Sequence, residues 1–275
     1  MSIKPGTTTG PAGIVHSALL TAYMVYDQPL NDDARAKILI SMHEHCRTPV
    51  NNDFVIKEIE RKKYFIEHQF RKSATPQRVF KMLKSDHADA LCKRGCIGLG
   101  PLTFYKSAEN KRISDEYEGT FPTLAEGKRY SICAISGVGS HVLVYCTTTD
   151  PGADFGYDAC VEISQPAEFF QVATMGVANH FRGRNQLVRV EHSRCVYQHS
   201  RVITGRLHGF NEDLIHLGEL SVDTIDVLSH GKYLVKERLY AGDSEYRFVF
   251  VMRADVSNYT AIECPELAKF CRRIR

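Results

Sequence analysis

Tryptophan is absent from the 275-residue chain, and that absence by itself excludes nothing. Other absences exclude more. There is no run of about 20 apolar residues, the length a membrane span requires. The most apolar N-terminal stretch, "GIVHSALLTAYMVY", is interrupted by His16, Ser17 and Thr21, so neither a membrane helix nor an export signal is expected. No large surplus of one charge is present: 35 Lys and Arg against 32 Asp and Glu leave +3, which argues against a protein whose main task is to coat nucleic acid. Nine scattered cysteines show no two matched pairs, so reduced thiols in a cytoplasm are expected, with no disulfide and no zinc. Cys92 and Cys96 read as buried thiols four apart on one helix face. In "MHEHC", His43 and His45 are two apart on an expected helix and point to different sides. "SGVGSH" lacks phosphate-loop spacing and reads as a turn between strands. Neither a nucleophile elbow, nor a metalloprotease helix, nor an internal repeat occurs.

What is present points to a globular α+β protein. Hydrophobic residues make up 43% of the chain, enough for a sizeable core. After a Gly/Thr/Pro-rich leader, "HSALLTAYMVY" reads as a short helix. "NDDARAKILISMHEHC" reads as a second, with Asn31 as N-cap and acids in the first turn. In "NNDFVIKEIERKKYFIEHQFRK", Val55, Ile59, Ile66 and Phe70 form an apolar stripe that predicts a third. From about Val79 the texture changes to short β-branched and aromatic runs: "RYSICAIS", "HVLVYCTTT", "YDACVEIS", "NQLVRVEHSRCVY" and "EYRFVFVMR". Between and after them "SDHADALCKRG" (Ser85 as N-cap, Gly95 as stop), "QPAEFFQVATMGVANHF" and the closing "PELAKFCRRI" read as helices. The expectation is a mostly helical section over 1–76. An α+β domain over 77–275 follows, with a largely antiparallel sheet and flanking helices.

Two stretches carry unusual charge. In "SEYRFVFVMR" the strand period puts Tyr246, Phe248, Phe250 and Met252 on one face. Glu245 and Arg247 share the other with Val249 and Val251. A carboxylate and a guanidinium beside apolar neighbours must be paired or line a cleft, because burying either alone is costly. In "KRISDEYEG", Arg112, Asp115, Glu116 and Glu118 precede Gly119. A helix explains Arg112 with Glu116, but not why Asp115 and Glu118 crowd a C-terminal end, where acids are unfavourable. As a loop, Arg112, Asp115 and Glu118 could converge on one polar group.

The order "RVFKML", "CKRGCIGLGPLTFYKSAENKRISDEYEG", "YDACVEIS", "KERLYAGDSEYRFVF", over roughly residues 78–270, resembles uncharacterised bacterial proteins related to abortive infection and phage defence. Those carry an "N-D-P-x-E" or "R-x-x-D-x-x-E-G" element, here Arg112, Asp115, Glu118 and Gly119, and an "E-x-E-x-R" type element. Of the latter Glu245 and Arg247 match, while Asp243 replaces the earlier Glu. The layout is also similar, more distantly, to ADP-ribosyltransferase-like toxins. That resemblance implies NAD as substrate. Glu245 would stabilise an oxocarbenium-like ribose, with Arg112 and Glu118 also in the catalytic set. Arg78 or Lys81 on a first strand, Tyr105, Asp115 and Arg247 would bind NAD or hold the acids. Two rivals stand beside this NAD-consuming effector. One is a non-enzymatic binding or regulatory protein of a defence or toxin–antitoxin system, with an unknown partner protein. The other is a nucleic-acid-acting enzyme, on the strength of "FRGRNQLVRVEHSR" and "KFCRRIR".

Overall fold

The computed structural model describes residues 18–26, 30–45, 74–106, 118–127, 131–138, 140–198, 202–206 and 232–275. The chain forms two compact units, each assembled from three separated stretches. One comprises Met1–Arg71, Gly119–Gly137 and Val196–Arg238; the other comprises Lys72–Glu118, Val138–Cys195 and Leu239–Arg275.

In the first unit a four-stranded sheet runs in the order β1 (Ala18–Tyr26), β5 (Ser131–Val138), β4 (Thr120–Glu126), β10 (Ile203–Arg206). A separate parallel pair joins β9 (Val196–Gln198) to β11 (Val235–Glu237). The helix expected over "HSALLTAYMVY" is thus corrected to strand β1. A nine-residue run that is apolar or aromatic apart from Thr21 satisfies either period, and pairing with β5 decides the outcome. The second expected helix forms as α1 (Asp32–His45), and Asn31 caps it by accepting the Ala34 N–H at 2.8 Å. Leu39 and Met42 of α1 are buried in a cluster with Leu30, Leu124, Cys133 and Val202. The third expected helix, over residues 51–72, lies outside the described residues.

The second unit is an eight-stranded sheet in which every pairing is antiparallel, the α+β architecture expected of this region. One path runs β13 (Thr260–Glu263), β3 (Cys96–Pro101), β6 (Val142–Thr148), β2 (Arg78–Leu83), β7 (Ala159–Ser164), β14 (Cys271–Arg273). On the other edge of β6 lies β12 (Glu245–Met252), which in turn pairs with β8 (Leu187–Arg194). Helices α2 (Ser85–Arg94) and α3 (Pro166–His180) complete the unit. Phe169, Phe170, Ala173 and Val177 of α3 share one core with Tyr246, Phe248, Phe250 and Met252 of β12. The rings of Phe170 and Phe248 stack at 5.5 Å.

Three local expectations are corrected. Ser85 is the first residue of α2, not its cap: its N–H and hydroxyl both donate to Asp158, at 3.0 and 2.8 Å. Cys92 and Cys96 do not share a helix face, because α2 stops at Gly95 and Cys96 already belongs to β3. The closing "PELAKFCRRI" is a 3-10 turn over Pro265–Phe270 followed by β14, whose pairing with the edge of β7 outweighs its modest helical propensity.

Gly95 ends α2 in the left-handed region (φ 64°), and a Cβ there would lie 2.0 Å from the Cys264 carbonyl oxygen. Gly95→Ala should therefore cost at least about 2 kcal/mol, from left-handed strain and from displaced backbone. A melting temperature within a degree of wild type would show that the close approach is not needed.

Candidate functional site

Strand β12 sets the geometry. Its even-numbered side chains enter the core, which turns Glu245, Arg247, Val249 and Val251 to the opposite face, as the strand period predicts. Ser244, with φ 46°, makes the turn into the strand, and its carbonyl accepts the Thr149 N–H at 2.9 Å. All eight residues of β12 are buried, so the charges on its second face must be satisfied internally.

They are satisfied by each other. Arg247 donates from Nη1 and Nη2 to the two carboxylate oxygens of Glu118, at 3.0 and 2.9 Å, a bidentate pair 129 residues apart in the chain. Its Nε donates to Glu245 Oε1 at 2.6 Å, and Nη2 lies 3.5 Å from Glu245 Oε2. The three side chains are 2%, 2% and 7% exposed for Arg247, Glu118 and Glu245. Burial works against the guanidinium charge, but Glu118 and Glu245 outweigh it and drive the Arg247 pKa well above its usual value. Glu118 is presented by the turn at Gly119, which has φ 78°.

A more open layer lies beside this triad. Cys146 stands opposite Arg247 in the β6–β12 register, partly exposed. Burial, the adjacent Glu245 charge and a hydrogen bond to Glu245 push its thiol up to about 12. Tyr105, in the 3-10 turn Leu102–Lys106, hydrogen-bonds Cys146, and burial together with that contact raises its pKa well above the usual phenol range. Strand β6 also forks here. It pairs with β3 through Val144 and Leu143 and with β2 only at Thr148, so neither strand has a registered partner for Cys146. The Lys81 amine enters the fork, donates to the Cys146 carbonyl oxygen at 2.7 Å and lies 4.9 Å from the centre of the Tyr145 ring. Burial lowers the Lys81 pKa, against the opposing pull of Cys146 and Glu245.

The outer face of β3 is bare at Gly98 and Gly100, and aromatic rings lie on it. A Cβ at Gly98 would sit 1.8 Å from the Tyr259 hydroxyl; one at Gly100 would meet Tyr259, Phe104 and the Tyr105 hydroxyl at 3.6 to 3.7 Å. Phe104 and Tyr259 remain 43% and 48% exposed, an apolar shelf next to the charged site.

Of the residues singled out from sequence, Glu118, Glu245 and Arg247 are in direct contact, and Lys81 and Tyr105 lie alongside through Cys146. Arg78 is elsewhere: it sits on the opposite face of β2 from Lys81, exposed, with Nη1 3.4 Å from Glu162 Oε2. Arg112 and Asp115 lie outside the described residues. Cys146 carries no sequence signal for this position; only the strand register reveals it. Among the described residues no group of three His, Cys, Asp or Glu is placed to hold a metal, and no helix is long and apolar enough to cross a membrane. Comparison with protein-family models, with curated proteins and with solved structures finds no match for this chain.

Proposed function

We propose that the chain is an NAD-consuming enzyme, a glycohydrolase or ADP-ribosyl transferase, in which Glu245 faces the ribose C1′ as nicotinamide departs. The observation that carries this reading is a carboxylate locked by Arg247 at the start of β12, with partly exposed Tyr105, Cys146 and Lys81 beside it. Cleavage of the glycosidic bond develops positive charge at C1′, and a fixed carboxylate in a poorly hydrated site stabilises that charge without reorganising. Arg247 positions the acids rather than the substrate, since the donors described above turn to Glu118 and Glu245. The exposed rings of Phe104 and Tyr259, tilted 48° to each other, offer aromatic faces on which a heteroaromatic ring can rest. The acceptor of the ribosyl group is water or a macromolecule.

A second reading, a non-enzymatic partner-binding protein, is favoured by one observation: both carboxylates of the triad are already bonded to Arg247, the arrangement of an ion pair with a purely structural task. The two are separated by incubating the full-length chain with NAD, alone and with candidate protein and nucleic-acid acceptors, and measuring nicotinamide. Release above the spontaneous rate supports the enzyme; none under any condition transfers the weight to the binding protein.

A further inference from the structure

The turn that leaves α3 carries more positive charge than its surroundings balance. Between residues 179 and 194 stand four arginines, one glutamate and no lysine. Several exposed arginines of this unit rest on carboxylates: Arg78 and Arg272 share Glu162, Arg94 meets Glu263 and Arg273 meets Asp89. Within the stretch itself Arg189 pairs with Glu191. Arg182, Arg184 and Arg253 differ: they are exposed, and among the described residues none of them forms an ion pair.

The backbone holds these three together. Gly183, with φ 76° and open space where a Cβ would stand, turns the chain between Arg182 and Arg184. The Arg184 and Asn185 N–H groups both donate to the Phe181 carbonyl at 2.9 Å, and Phe181 is anchored in the core. Asn185 then clamps a second turn: its side chain donates to the Ala254 carbonyl at 2.9 Å and accepts the Ala254 N–H at 3.0 Å. The Gln186 carbonyl accepts the Arg253 N–H at 2.7 Å, which sets Arg253 beside the turn of Arg182 and Arg184. A structural task explains part of the cluster. Arg184 Nη2 donates to the His180 carbonyl at the end of α3, where the helix pole is negative, and most of its guanidinium donors are left over. Arg182 and Arg253 have no such task among the described residues. Asp255, two positions beyond Arg253, lies 3.8 Å from His141 Nδ1 rather than on a guanidinium.

We propose that this turn is a docking surface for the phosphodiester backbone of nucleic acid, recognised by its charge and not by its base sequence. The planar fork of arginine matches phosphate with two parallel hydrogen bonds, and its placement on a braced turn lowers the cost of ordering it. Phosphate contacts of this kind fix position without reading bases. An anionic membrane surface would call for apolar side chains beside the cations, and the turn over residues 181–186 exposes none. The near balance of charge over the whole chain makes this a local surface and not a coat. The inference goes beyond the NAD reading and does not depend on it.

The test follows the fluorescence anisotropy of a labelled single-stranded RNA of mixed sequence, about 20 nucleotides long, titrated with the full-length chain at about 50 to 200 mM salt and without NAD. The wild type should bind, with log K falling against log salt at a slope of about −2, the value for three phosphates of a single strand. The variant Arg182→Gln, Arg184→Gln, Arg253→Gln should bind at least about 10-fold more weakly at the lowest salt and lose most of the slope. Removing the same charge from the ion-paired surface, in Lys93→Gln, Arg94→Gln, Arg273→Gln, should leave affinity within about twofold. The variant Arg182→Lys, Arg184→Lys, Arg253→Lys keeps the charge and should keep the slope. Melting curves accompany each variant. Absence of binding by the wild type at the lowest salt, equal weakening in the two glutamine variants, or loss of the slope in a folded lysine variant overturns the proposal. So does binding to phosphatidylserine vesicles in place of the RNA.

Discussion

Arg247→Met is expected to destabilise the second unit by about 3–5 kcal/mol, because it leaves the carboxylates of Glu118 and Glu245 buried together with no guanidinium between them. The same physics predicts a partial rescue. Neutralising the acids as well, in the triple variant Arg247→Met, Glu118→Gln, Glu245→Gln, removes the uncompensated charge. It should recover a large part of the loss, since buried ion pairs contribute little net stability over neutral groups of similar shape. Urea unfolding of the single and triple variants reads both. A single variant within about 1 kcal/mol of wild type would mean that water reaches the triad freely.

The second large effect is on turnover. Glu245→Gln keeps the size of the side chain and much of its hydrogen bonding to Arg247 while deleting the charge. Nicotinamide release should fall by at least ~10², the scale of one well-placed electrostatic group. Arg247 retains its bidentate partner Glu118, so the fold should persist with a smaller loss than in Arg247→Met. Glu118→Gln is the contrast: it lies on the far side of Arg247 from Glu245 in the bonding order, and its effect should appear in the melting curve first. A Glu245→Gln chain with wild-type turnover and a lowered melting temperature would assign Glu245 to the ion pair alone.

Lys81 gives stability a pH signature. Its pKa in the folded chain is lowered by burial from the ordinary 10.5. Between the folded and unfolded values the unfolded chain therefore binds the extra proton, and stability rises with pH across that window. Cys146 acts in the opposite sense above 9, because its thiol holds its proton to about 12 when folded, so stability falls with pH there.

How much of this was legible in the residues depends on the range of each interaction. Strand β12 was legible because one face is core and period two is unambiguous over eight residues. The stop at Gly95 and the cap at Asn31 were legible because capping is local. β1 was not, since the single threonine of "ALLTAYMVY" does not select between periods, and its pairing partner lies more than a hundred residues away. The same limit governs the site. Glu118, Glu245 and Arg247 stood out by type, but not their mutual bonding, which spans 129 residues. The Lys81 contact has no sequence signature at all, because its acceptor is a backbone carbonyl exposed by the divergence of two strands.

The assembly of the sheet from three stretches has a consequence for synthesis. β6 and β12, its most extensively paired strands, begin at residues 142 and 245, so the sheet is closed by contacts of high sequence separation and forms late and slowly. While the ribosome is still short of residue 245, Glu118 has no arginine to meet, and neither Glu245 nor Arg247 has been made. Until then β3, β6, β2 and β7 can pair with one another, but the sides of β6, β3 and β7 that later meet β12, β13 and β14 stay open. It also means that the charged centre comes into being in a single late step, so a chain that stops before β12 carries Glu118 without its ion-pair partner.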